Sequence, residues 1–182
     1  MFNNHRDDFP TLRGDHPPAY LDNACVTLKP QSVVDAIHRY YTETPGCGGR
    51  SVHRYGTAVS KSVSDARKKL ASFLNAENPN EIVFTRNATH SINQIAHGMS
   101  WEKGDVILSS DREHNSNLVP WLQLEQEQGV DHRVVPSHED NTFDMEAFEA
   151  ACADAGEQLK MVAVSHVGNL DGVAIPIAEV TK

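Results

Sequence analysis

The sequence predicts an α/β protein built on a mostly parallel sheet flanked by helices. Two observations carry this. Short, wholly apolar runs such as Val106-Ile107-Leu108 and Met161-Val162-Ala163-Val164 suit strands covered on both faces. Between such runs lie stretches whose apolar residues recur every three or four positions, and strand-like and helix-like patterns alternate from Ile82 onward. Alternation of this kind places helices on both faces of a parallel sheet, with the ligand edge at the strand carboxyl ends.

The elements follow in order. Residues 1–19 are polar and carry Pro10, Pro17 and Pro18, so they read as an arm leading to a short strand at Tyr20-Leu21. After Pro30, the spacing of Val33, Val34, Ile37, Tyr40 and Tyr41 predicts a helix. Residues 44–57 hold Gly46, Gly48, Gly49 and Gly56 and read as a long loop. A second helix is expected from Val59 to Leu74, where Val59, Val63, Ala66, Leu70 and Phe73 share a stripe. There follow a strand at Ile82-Val83-Phe84, a helix at 88–99, a strand at 106–108, a helix at 116–128 and a strand at 133–135. Asp144 is placed to cap a further helix, ahead of the strand at 161–164.

Composition excludes several functions. With 182 residues, 39% hydrophobic, the chain is long enough to bury a core. A net charge of -9 argues against a nucleic-acid partner, since only Arg67-Lys68-Lys69 clusters positive charge, and that cluster reads as a solvated helix face. The first residues lack the apolar segment of a secretory signal, and no run approaches the about 20 apolar residues of a membrane span; a cytoplasmic protein is expected. Cys25, Cys47 and Cys152 are too widely separated for a metal or disulfide framework, and Cys25 reads as buried filler, so no metal site is expected. There is no His-Glu-x-x-His helix, Gly-x-Ser-x-Gly elbow or complete dinucleotide glycine fingerprint.

Three strand-to-helix or strand-to-turn segments could carry chemistry. In Phe84-Thr85-Arg86-Asn87-Ala88-Thr89-His90-Ser91 a helix begins, and its first amides lack intrahelical partners, making a natural anion cradle. Taken alone, Asn87 and Thr89 read more simply as helix caps. In Glu113-His114-Asn115-Ser116-Asn117-Leu118-Val119-Pro120-Trp121 an imidazole sits in a second such turn. Its ring can stack on a heterocycle while its nitrogens remain available for proton transfer. In Val164-Ser165-His166-Val167-Gly168-Asn169-Leu170-Asp171-Gly172 an Asn stands in a Gly-rich turn after another strand.

The 113–121 segment closely resembles the cofactor-stacking turn of class V aminotransferases, the pyridoxal-phosphate family that includes cysteine desulfurases. The resemblance implies the N-terminal part of the large domain of a fold-type I pyridoxal-phosphate transferase, with residues 20–182 forming its N-terminal half. It places His114 over the pyridine ring as stacking and acid-base residue. It makes Ala88 and Thr89 the phosphate-binding turn, and Asn169 the donor to the phenolic oxygen of pyridoxal 5'-phosphate. Many members have a second hydroxyl where Ala88 stands, an acid where His90 stands and a second His where Asn115 stands. Asn23, in Tyr20-Leu21-Asp22-Asn23-Ala24, falls in the family's substrate-side turn. Arg50 and His53, in Gly49-Arg50-Ser51-Val52-His53-Arg54, fall in the loop that reaches the active site across a dimer interface.

What the resemblance implies is incomplete here. The family's Schiff-base Lys stands in a Ser-Gly-His-Lys type of context, which none of Lys29, Lys61, Lys68, Lys69, Lys103, Lys160 or Lys182 shares. The acid that protonates the pyridine nitrogen, the carboxylate-binding Arg and the desulfurase loop Cys are also unmatched. The expected activity is therefore that of the parent enzyme, removal of sulfur from cysteine to give alanine and an enzyme-bound persulfide. The chain alone is expected to be inactive, as a fragment, a truncated product or one half of a split enzyme. Expected partners are cysteine, a second copy or a missing C-terminal half. The alternatives are a non-catalytic phosphate-ligand-binding or regulatory fragment, or a related transaminase, epimerase or kynureninase-like lyase.

Overall fold

The computed structural model describes residues 5–182. It divides into two compact units, residues 1–84 and 85–182, of which residues 1–4 of the expected arm lie outside the described residues. In the second unit three strands, β1 (Val106–Ser110), β2 (Asp131–Val135) and β3 (Leu159–Ala163), pair in parallel in the order β2-β1-β3. The register between β1 and β3 shifts after Val106, because Lys160 is an extra residue between the partners Leu159 and Met161.

Alternation along β1 explains how both faces are covered. Val106 and Leu108 face one side, where they pack with Val135, Phe143, Phe148 and Ala155. Ile107 faces the other, with Ala96, Trp121, Leu124, Val130 and Ala163. The first side is closed by α5 (Met145–Ala155), the second by α3 (Ala88–Gly98) and α4 (Val119–Gln128). Each large apolar side chain so buried contributes about 1.5–3 kcal/mol, and β1, the central strand, is buried at all five of its positions.

The ends of these helices follow from their residues. Asn87 and Asp144 cap α3 and α5, their side-chain oxygens accepting from the amides of His90 and Ala147 at 2.9 Å each. Pro120 stands in the first turn of α4, where its missing N–H costs nothing, and Gly129 ends the helix in the left-handed region at φ 73°. A 3-10 turn at Asn115–Asn117 precedes α4, so the regular helix starts at Val119 rather than Ser116. After β3, a turn closed by the Val167–Ala174 bridge leads to the short α6 (Ile177–Val180).

The first unit holds α1 (Gln31–Thr42) and α2 (Arg54–Phe73). Two expected strands are absent there: neither Tyr20-Leu21 nor Ile82-Val83-Phe84 pairs with another segment among the described residues. A strand is defined by a neighbour's carbonyls and amides, and an extended apolar tripeptide without one stays irregular. The second helix also begins five residues before the expected Val59. Gly56 lies inside it, because a Cβ there would press on the backbone of Ser51 at 2.6 Å. Thus one of the glycines that suggested a loop serves close packing of the 44–53 segment on α2. Cys25 is exposed rather than buried, since the turn around it has no core beneath it.

Candidate functional site

The sheet order creates a crevice. The chain passes from β1 to β2 on one side and then returns across β1 to β3 on the other, so the connections leaving the carboxyl ends of β1 and β3 diverge. Such reversal points are where open α/β sheets receive ligands.

Glu113 occupies the junction. Its Oε1 accepts from Ser110 Oγ at 2.7 Å and from the Ser165 amide at 2.8 Å; its Oε2 accepts from Asn117 Nδ2 at 2.8 Å and Ser165 Oγ at 2.7 Å. Asn117 is buried, also donates to the Ala163 carbonyl at 3.1 Å, and accepts from the Trp121 indole at 3.3 Å. The turn that follows β1 is thereby tied to the end of β3 and to α4. Glu113, Asn117 and Ser165 lie within the motif segments, where nothing local marks them for this role. The available signal was polar residues at two strand ends, with Glu113 and Asn117 four residues apart.

His114 is exposed and caps the 3-10 turn. Its Nδ1 accepts from the Ser116 amide at 3.1 Å and lies 2.9 Å from Ser116 Oγ. An amide can only donate, so in the neutral ring the proton sits on Nε2, leaving that nitrogen as an outward donor.

Next to this turn lies an open cleft of about 350 Å³. Ala88 at the start of α3 and Ser116, Asn117 and Ser165 line it, over an apolar wall that includes Ile92 and Trp121. The start of α3 and the turn after β1 therefore border one cleft, through Ala88 on one side and Ser116 and Asn117 on the other. Ala88 lines it directly; Thr89 is the next residue of α3, and His114 is held through Ser116. The amides of Ala88 and Thr89 have no protein acceptor among the described residues, while His90 turns its Nδ1 back to the Arg86 amide at 3.4 Å.

Asn169 lines a different, smaller hollow of about 190 Å³ with Asp111, Arg112 and Glu113. Its turn is held by Arg112, which donates to Asp171 Oδ2 at 2.5 Å, and the neighbouring guanidinium keeps the Asp171 carboxyl below its usual range. A Cβ at Gly168 would press on Asp171 Oδ1, so a side chain there would displace the carboxylate that Arg112 holds.

The candidate substrate residues belong to the first unit. Asn23 lies exposed in the turn 22–25, its carbonyl accepting from Thr27 Oγ1 at 3.2 Å. Arg50 is exposed beside Gly49, whose amide donates to Ser60 Oγ at 2.8 Å. His53 caps α2, accepting from the Gly56 amide at 3.4 Å, and meets Tyr55 edge-on.

Fold and cleft together define a doubly covered parallel α/β protein with a ligand crevice at its strand ends. The apo structure of a cysteine desulfurase from Thermococcus onnurineus superposes with a TM-score of 0.83 at 30% identity, over 96% of this chain and 42% of that one. A cysteine desulfurase from Escherichia coli gives 0.78 at 27% identity, over 100% and 45%. In sequence, a Synechocystis protein named "Probable cysteine desulfurase" is 36% identical over 97% of this chain and 43% of its own length. The cysteine desulfurase of Salmonella newport is 34% identical over 96% and 44%. The profile of the Aminotransferase class-V family matches residues 19–182, and the chain belongs to that family. It spans less than half the length of these relatives.

Proposed function

We propose that this chain is the portion of a pyridoxal-phosphate-dependent cysteine desulfurase that grips the phosphate and covers one face of the cofactor ring, residues 20–182 being the N-terminal half of the cofactor-binding domain. The observation that carries this reading is the pair of unpartnered amides at Ala88 and Thr89, at the start of an 11-residue helix, beside the cleft that Ser116 also lines. A phosphate dianion suits that helix start, and a planar ring suits an apolar wall with a polar rim.

In this reading the amides and the Thr89 hydroxyl bind the phosphate. His114 lies on the ring, its Nδ1 held by the Ser116 amide so that Nε2 is the atom that gives or takes a proton. Asn169 donates its amide to the phenolic oxygen, and Asn23, Arg50 and His53 serve the substrate side. When bound, the cofactor supplies the electron sink for an amino-acid substrate. The names of the relatives support cysteine as that substrate, and the setting is cytoplasmic. Partners are a second copy or the polypeptide that supplies the missing Lys.

The test is direct. Titrating the purified chain with pyridoxal 5'-phosphate, followed by the absorbance of the cofactor and the fluorescence of Trp101 and Trp121, should give saturable binding. His114→Ala should weaken it about 2- to 10-fold, the worth of one aromatic stacking contact of about 0.5–1.5 kcal/mol. Equal affinity in both proteins removes His114 from the site. Supplied with cysteine and cofactor alone, the chain should release no sulfide, and steady turnover to alanine would defeat the assignment of a partial enzyme.

A further inference from the structure

We infer that Glu113 is a positioning residue, the anchor that holds the His114 turn and the segment leading to Asn169 as one rim of the crevice; this rests on the cofactor reading above. A carboxylate has two oxygens that each take two hydrogen bonds, and all four places are filled here by three residues from separate parts of the chain. Ser110 brings the end of β1, Asn117 the turn that His114 caps, and Ser165 the backbone leaving β3. Ser165 donates twice, through its amide and its hydroxyl, so the carboxylate clasps the start of the segment that reaches Asn169 four residues later.

The geometry requires an acceptor on both oxygens. A neutral amide of the same size would turn an NH2 group toward one of these pairs; the serine hydroxyl there can rotate to accept from it, but the Ser165 amide or the Asn117 Nδ2, which only donate, would lose its acceptor in a half-buried position. The consequence passes to His114 through the chain: Asn117 N donates to the His114 carbonyl at 2.7 Å, and the Ser116 amide holds the ring. Freeing Asn117 loosens both ends of that turn. Glu113 thus acts on the cofactor only through the ring and the amide that it keeps in place.

The experiment compares the wild-type chain with Glu113→Gln by amide hydrogen exchange and by nitrogen NMR of the His114 ring, both without cofactor. Exchange at the Ser116, Asn117 and Ser165 amides should rise at least tenfold while Ile107 and Leu108 in β1 keep their protection. The His114 ring should lose the signature of a proton fixed on Nε2. Unchanged exchange and an unchanged ring would overturn the inference. If Glu113→Gln does not fold, Ser165→Ala decides, since it deletes one of the four bonds and keeps the carboxylate. About threefold faster exchange at Ser116 supports the anchor, and no change refutes it. Pyridoxal 5'-phosphate binding is then read separately. Loosening of the turn in a chain that never binds the cofactor leaves the anchor standing and removes the functional reading. Binding that depends on His114, with no loosening in Glu113→Gln, does the reverse.

Discussion

His132 shows how one side chain sets a pH limit. It lies half-buried on β2, its Nε2 2.8 Å from the fully buried Ser109 hydroxyl. Burial lowers its pKa below the usual 6.5, against the opposing pull of Glu125 and Asp131. The unfolded chain therefore takes up a proton at higher pH than the folded one. Stability is unaffected above the ordinary value, falls as pH drops through 6.5, and levels off below the folded-state pKa. Urea midpoints measured across that range should fall for the wild type and flatten for His132→Gln; parallel curves would show that the ring does not govern the slope. Asp171 works in the opposite direction. Arg112 depresses its carboxyl, so its contribution is present above the ordinary 3.8 and disappears as pH falls through the lower folded-state value. Neither effect is legible in sequence, where His132 is one of three consecutive polar residues, Asp131-His132-Arg133. That His114 stands in the turn after β1 was legible from its segment, whereas the capture of its Nδ1 by the Ser116 amide was not.

Helices and strands differed in how far local residues dictated them. Asp144 was recognisable as a cap because a short acceptor before an apolar stripe satisfies amides within its own turn, and the structure bears this out at Ala147. Asp144→Ala should cost about 1 kcal/mol, measured as a shift of the urea midpoint at constant slope. A loss below a tenth of that would mean that solvent replaces the cap. In the core, Leu124 on α4 has no exposed surface, and Leu124→Ala should cost about 2–5 kcal/mol. The two unformed strands were misread for the complementary reason. The run at Ile82 has the right side chains, but pairing depends on a segment elsewhere in the chain or outside it, and no local pattern encodes that. The start of α2 was missed because glycine was read as flexibility, when Gly56 serves contact with Ser51.

Across the molecule the two units are unlike. Both apolar clusters lie in the second, whereas in the first only Gly56 and Ala71 are buried among the described residues. Leu21 and Phe73 are 92% and 83% exposed, and the stripe of Val33, Val34, Ile37, Tyr40 and Tyr41 on α1 has formed a helix without a buried residue. Apolar surface of this extent binds hydrophobic dyes and lowers local stability. The isolated chain should therefore enhance the fluorescence of anilinonaphthalene sulfonate, and amides in α1 should exchange at least about 100-fold faster than those in β1. Equal protection in the two units would contradict this.

The α/β class, the identity of most helices and the turns that bound the cleft all followed from periodicity, caps and motif segments, because each is settled by residues within a few positions of one another. The meeting of Ser110, Glu113, Asn117 and Ser165, and the choice of which apolar runs become strands, followed only from the fold. They depend on hydrogen bonds between segments up to 52 residues apart in sequence, whose partners no local pattern specifies.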